Sequence, residues 1–190
     1  MKKKARTKRR TARHLPGDRK LEDVLARMIR VNHAGEFGAQ RIYAGQLYVL
    51  GDTKVGPIIR HMAQQEDEHL AAFEKIMIER GVRPTVLHSL WHIAGFALGA
   101  MTARMGKEAA MACTVAVEEV IDEHYRKQLE RLANEDEPQL RRMITKFRAD
   151  ENEHEATGRK HGAEEAAYYP ALRALVRASS KTAIWLSERI

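Results

Sequence analysis

Two stretches of this chain hold the residue types that metal chemistry needs: Gln65-Glu66-Asp67-Glu68-His69 and Asp150-Glu151-Asn152-Glu153-His154, each reading Glu-x-Glu-His. On an α-helix the first Glu and the His lie about 300° apart round the axis, so they share a face and can grip one ion. The middle acids, Glu68 and Glu153, fall about 200° from the first Glu and point away. One such motif says little, since 19 Glu and 9 His among 190 residues supply about one by chance.

A second pairing raises the signal. Glu36 precedes Tyr43 by seven residues and Glu118 precedes Tyr125 by seven, two helical turns in each case, so each Glu shares a stripe with its Tyr. The spacing from lone Glu to motif is also alike, 30 residues from Glu36 to Glu66 and 33 from Glu118 to Glu151. Glu119 stands beside Glu118, and the tyrosine offset selects Glu118. The chain therefore reads as two copies of one helical hairpin, each with a lone Glu, a Glu-x-x-His and a Tyr. That inventory matches ferritin-like bundles with a pair of iron or manganese ions. Four carboxylates and two imidazoles suit two divalent metals.

The elements that must position these residues are helices. Apolar residues recur at three- and four-residue steps from Leu21 through Leu47 and Leu50, with Glu36 and Tyr43 on the same side. Gly51-Asp52-Thr53 ends that helix, and Pro57 opens a second one that runs through Met62, Glu66, His69 and Phe73 to Gly81. A third hydrophobic stripe, Ala109, Cys113, Val117, Ile121 and Leu129, carries Glu118 and Tyr125. Pro138, preceded by acids that favour a helix N-terminus, begins a fourth that leads to Glu151 and His154. Residues 168–190 form a short amphipathic ending.

Between the hairpins, residues 87–103 (LHSLWHIAGFALGAMTA) contain no Lys, Arg, Asp or Glu. They are short for a bilayer span. Two readings stand: a buried crossover helix, or a monotopic helix dipping into one leaflet with Trp91 at the interface and Arg104 and Lys107 snorkelling. The single cysteine, Cys113, excludes a disulfide framework and reads as a small core residue. No glycine-rich phosphate loop is present.

The net charge of +7 belongs to one end. Residues 1–20 hold ten Lys/Arg against Asp18 alone, and the remainder carries 23 basic against 25 acidic residues. That gives two parts, a disordered basic tail at 1–20 and a helical domain at 21–190. The tail reads as a solubilising segment, a lipid-headgroup anchor or a nucleic-acid arm.

Asn32-His33-Ala34-Gly35-Glu36, Arg83-Pro84-Thr85, the run Gly95-Phe96-Ala97-Leu98-Gly99-Ala100, residues 111–119 (MACTVAVEE) and Leu186-Ser187-Glu188-Arg189 closely resemble the demethoxyubiquinone hydroxylase family of ubiquinone biosynthesis. The resemblance covers roughly residues 21–190. It implies an all-α, ferritin-like four-helix bundle and an oxidoreductase, a monooxygenase that hydroxylates the ring of demethoxyubiquinone or its quinol. It further implies two carboxylate-bridged iron ions, O₂ as co-substrate and NADH as electron donor. The family's metal ligands fall on Glu36, Glu66, His69, Glu118, Glu151 and His154, and its His-Tyr pair, suggested to move protons or electrons, falls on His124 and Tyr125. The quinone's isoprenoid tail is expected among Trp91, Phe96 and Leu98. Peripheral attachment is implied at the cytoplasmic face of a bacterial inner membrane or the matrix face of the mitochondrial one. For eukaryotic relatives the resemblance implies a lipid-binding partner protein; a homo-oligomer is left open, and nucleic acid is not expected as a partner.

Two other functions draw on the same residues. A ferritin-like storage or peroxide-handling protein keeps every ligand but gives residues 87–103 no role, and one cysteine argues against a rubrerythrin-like peroxidase. A basic-tailed helical adaptor for membrane or nucleic acid treats the Glu-x-x-His pairs as helix surface.

Overall fold

A computed structural model describes residues 20–190. The basic segment, read above as a disordered tail, lies outside the described residues except for Lys20. Six α-helices follow in order: α1 (Leu21–Leu50), α2 (Gly56–Arg80), α3 (His88–Arg104), α4 (Lys107–Leu132), α5 (Pro138–Lys160) and α6 (Tyr169–Ser187). Ala163–Glu165 forms a single 3₁₀ turn between α5 and α6. No strand occurs among the described residues.

The two hairpins are α1–α2 and α4–α5, which build a ferritin-like bundle around a shared interior. Their ends follow local chemistry. Pro57 and Pro138 lie in the first turns of α2 and α5, where a missing N–H costs nothing. Gly81 closes α2 in the left-handed conformation (φ 62°), and Val82 N–H reaches back to the Met77 carbonyl at 2.9 Å. Ile29, Phe73, Leu140, Ile144 and Cys113 are fully buried between the helices. Burial pushes the Cys113 thiol up to about 12, so it stays an inert core thiol.

The apolar run becomes α3, laid along the outside of α1. The buried-crossover reading fails: Gly95, Gly99, Thr102 and Ala103 alone are buried on α3, whereas Leu90, Ile93 and Met101 are exposed. The contact face is glycine because the backbones nearly touch; a Cβ on Gly99 would collide with the Ile42 carbonyl, and one on Gly45 with the Phe96 carbonyl. α6 lies along α4, held by Glu119, whose carboxylate accepts from Arg159, Arg173 and Arg177. No described helix is long and apolar enough to cross a membrane.

Candidate metal centre

Each bundle helix delivers its share to one interior point: Glu36 from α1, Glu66 and His69 from α2, Glu118 from α4, Glu151 and His154 from α5. All six are at most 1% exposed. This overturns the reading in which the Glu-x-x-His pairs are helix surface. The middle acids Glu68 and Glu153 are exposed, and Glu119 faces the arginines of α5 and α6 instead of the interior.

The six form two overlapping groups, Glu36/Glu66/His69/Glu151 and Glu66/Glu118/Glu151/His154, with the donor atoms of each within 4.8 Å of one another. Glu66 and Glu151 belong to both. Supporting bonds cross from one hairpin to the other. Tyr43 of the first donates to Glu118 Oε1 of the second at 2.9 Å, and Tyr125 of the second donates to Glu36 Oε1 of the first. The imidazoles follow the same exchange: His69 Nε2 bonds Asp150 Oδ2 at 3.0 Å, and His154 Nε2 bonds Gln65 Oε1 at 3.1 Å. Periodicity placed each tyrosine on a stripe with its own helix's Glu; the partner proves to be the other hairpin's Glu. Gln65 and Asp150 immediately precede the two motifs, and sequence gave them no role.

What remains unpaired is the inner lining. Glu36 Oε2, Glu118 Oε2, both oxygens of Glu66 and of Glu151, and Nδ1 of His69 and of His154 are buried without a hydrogen bond. They approach closely all the same, with His154 Nδ1 3.0 Å from Glu151 Oε2 and His69 Nδ1 3.2 Å from Glu151 Oε1. Buried polar atoms left unpaired are costly, and a cluster of oxygen and imidazole donors turned on one another is what divalent cations satisfy.

The electrostatics carry the same mark. Burial, reinforced by the Glu151 charge, pushes the Glu66 and Glu118 carboxyls well above the usual range. Burial opposes ionisation of Glu151 too, but His154 and His69 outweigh it and bring this carboxyl down to about 2. Burial would discharge His69; Glu151 and Glu36 outweigh it and hold the imidazole protonated up to about 10. Burial and the adjacent carboxylates raise Tyr43 and Tyr125, which stay neutral phenol donors.

His124 sits differently from Tyr125. Its Nε2 lies 3.2 Å from Asn32 Oδ1 and 2.6 Å from Gln128 Nε2, within a polar knot joining α1 to α4, and none of its bonds reaches the carboxylates. Burial, with a smaller push from Lys127, lowers it to about 4, so it is neutral.

Beside the centre, an apolar cavity of about 260 Å³ opens between α1, α3, α4 and α6, lined among others by Gly35, Gly38, Trp91, Leu98, Val117 and Ile184. Phe96 does not line it and packs on Tyr48, with the Arg41 guanidinium 5.5 Å from its ring. Gly35 and Val117 each directly precede a carboxylate of the cluster.

Fold and site together define a ferritin-like bundle whose interior is a carboxylate–histidine centre suited to two divalent ions. Residues 23–187 match the family model described as ubiquinone biosynthesis protein COQ7, and the chain belongs to that family. It is 55% identical over 169 residues to the NADPH-dependent 3-demethoxyubiquinone 3-hydroxylase, mitochondrial, of Dictyostelium discoideum (88% of this chain, 78% of the relative). It is 50% identical to the 3-demethoxyubiquinol 3-hydroxylase of Rhodospirillum rubrum (93% and 83%). Its identity to the NADPH-dependent 3-demethoxyubiquinone 3-hydroxylase, mitochondrial, of Homo sapiens is 53% (86% and 77%).

Proposed function

We propose that this chain is a monooxygenase of ubiquinone biosynthesis that hydroxylates the ring of demethoxyubiquinone or its quinol at a di-iron centre, with residues 21–190 as the catalytic domain. The observation that carries the reading is the set of buried, unpaired donor atoms on Glu36, Glu66, His69, Glu118, Glu151 and His154 beside an apolar cavity. Family membership supplies the reaction.

The chain's own atoms divide the work. Tyr125 and Tyr43 tie up Oε1 of Glu36 and Glu118, leaving one oxygen of each for a metal. Glu66 and Glu151 keep both oxygens free, as a carboxylate shared between two ions needs. Asp150 and Gln65 hold the outer nitrogens of His69 and His154, which turns Nδ1 of each ring inward. When bound, the two iron ions would supply the redox and Lewis-acid chemistry that activates O₂. One oxygen atom of O₂ enters the ring and the other leaves as water, with two electrons from a reduced nicotinamide. NADH is the donor expected from sequence, and the Dictyostelium and human relatives are named NADPH-dependent, so the donor is a reduced nicotinamide of either kind. The buried lining keeps bulk water from the reacting atoms.

The cavity lies between α3 and α6, and both present apolar side chains outward: Leu90, Ile93 and Met101 on α3, Leu175 and Trp185 on α6. Such a face fits docking on the membrane that holds the quinone. A storage bundle would have no use for this cavity.

The test is iron per chain after anaerobic Fe(II) loading, followed by incubation of a demethoxyubiquinone with NADPH and ¹⁸O₂. Two irons and a hydroxylated product carrying one labelled oxygen are expected, both lost in Glu118→Ala. Iron without labelled product would leave a storage or peroxide-handling protein.

A further inference from the structure

Gly35 and Gly38 lie in the interior of α1, where glycine is the least favoured residue after proline. The other glycines of the α1–α3 seam are explained by collision: a Cβ on Gly45 would strike the Phe96 carbonyl, one on Gly99 the Ile42 carbonyl, and one on Gly95 would sit 2.9 Å from the Gly38 carbonyl. Gly35 and Gly38 have no such reason, since a Cβ at either would meet no atom within 4 Å. Both line the apolar cavity with Trp91 and Val117. Three residues apart, they share one face of α1 about 4.5 Å apart along the axis, and so form a strip of bare backbone. That strip adjoins Glu36 in the chain.

We propose that Gly35 and Gly38 are kept free of side chains as clearance for the substrate, the flat quinone head lying against the bare α1 backbone where a methyl group would exclude it. The assignment rests on the reading of the cavity as the quinone site. It makes the two glycines specificity-determining, and it separates them from Gly45, Gly95 and Gly99, which serve helix packing.

The experiment uses full-length, iron-loaded protein in a Trp185→Phe background, which leaves Trp91 as the sole indole. The probe is demethoxyubiquinone with a short isoprenoid tail, titrated against Trp91 fluorescence. Gly35→Ala and Gly38→Ala are expected to keep the parent's iron content and to melt unchanged or about 2–3 °C higher, because alanine favours the helix and nothing is displaced. Their quinone dissociation constants should rise roughly tenfold to a hundredfold. Gly99→Ala is the contrast and should melt lower. Lower melting of Gly35→Ala and Gly38→Ala, in the manner of Gly99→Ala, would make them packing glycines and overturn the proposal. Saturable quenching in the parent that both alanine variants retain would overturn this assignment alone. No saturable quenching in the parent would remove the quinone reading of the cavity, and this assignment with it.

Discussion

Glu66 gives the sharpest test of whether the centre is built for metal or for stability. It is fully buried, neither oxygen has a hydrogen-bond partner, and burial raises its carboxyl well above the usual range. Glu66→Met replaces an unpaired polar group with an apolar one of similar volume. Relief of an unpaired buried group amounts to about 1–3 kcal/mol. For a chain of this size each kcal/mol moves the unfolding midpoint by roughly 2–4 °C, so the metal-free variant should melt about 2–12 °C above the metal-free wild type. Loading reverses the order. Each ion present at a hundred times its dissociation constant stabilises by about 2.7 kcal/mol, and the pair by about 5, which is roughly 10–20 °C. The wild type should gain that shift on anaerobic Fe(II) addition, and Glu66→Met should lose most of it. Circular-dichroism melts in EDTA and in Fe(II) read both. A metal-free variant that melts below the metal-free wild type would refute the reasoning, because the carboxyl would then be held by its neighbours and not waiting for a cation.

Four further outcomes follow from the same geometry. Tyr43→Phe cuts the 2.9 Å bond to Glu118 Oε1 and should lower metal-free stability by about 1–3 kcal/mol in urea titration while iron stays at two per chain, since Glu118 Oε2 is still available. Asp150→Asn removes the carboxylate behind His69 and should weaken one of the two metal positions about 10–100-fold in chelator competition, leaving the His154 side unchanged; equal loss at both positions would contradict the pairing. The metal-free protein should be most stable at about pH 4 to 5. Glu151, depressed to about 2, contributes stability above its unfolded value that is lost as pH falls through about 2. His69, raised to about 10, contributes fully below its unfolded value and loses that as pH rises through about 10, while the raised Glu66 and Glu118 carboxyls cost stability as soon as pH rises above their unfolded value, because the unfolded chain ionises there and the folded one does not. Metal affinity should run the opposite way and rise with pH, because binding displaces the protons held by Glu66, Glu118 and His69; calorimetry in two buffers of different ionisation heat measures that release.

Much of this was legible in the sequence because helical period converts spacing into a shared face. Glu66 with His69, and Glu151 with His154, needed only the three-residue rule, and the seven-residue offset to Tyr125 was enough to prefer Glu118 over Glu119. Period says nothing about which helix a face meets, so the exchange that sets Tyr43 on Glu118 and Tyr125 on Glu36 was out of reach. So were Asp150 and Gln65, ordinary polar residues whose role exists only once α2 and α5 lie side by side. The charge-free run of α3 looked equally like a buried helix, since composition does not distinguish a helix packed all round from one whose glycines meet α1 while Leu90 and Ile93 face outward. The cavity had no signature beyond Trp91 and Leu98, because it is a property of four helices at once.

The exchange between hairpins also explains why the centre cannot be assembled piecemeal. Each hairpin carries inward donors whose supports come from the other: Glu36 and His69 depend on Tyr125 and Asp150, and Glu118 and His154 on Tyr43 and Gln65. A hairpin alone would leave its three ionisable ligands facing water, without the bonds that hold them inward; they become buried only when the other hairpin supplies those bonds. Docking of α1–α2 on α4–α5 is therefore the step that both closes the core and orients Glu36, His69, Glu118 and His154. α3 and α6 contribute no metal ligand. They wall the cavity beside the centre and present the outward apolar face, so bundle and flanking helices divide the labour between the chemistry and access for an apolar substrate.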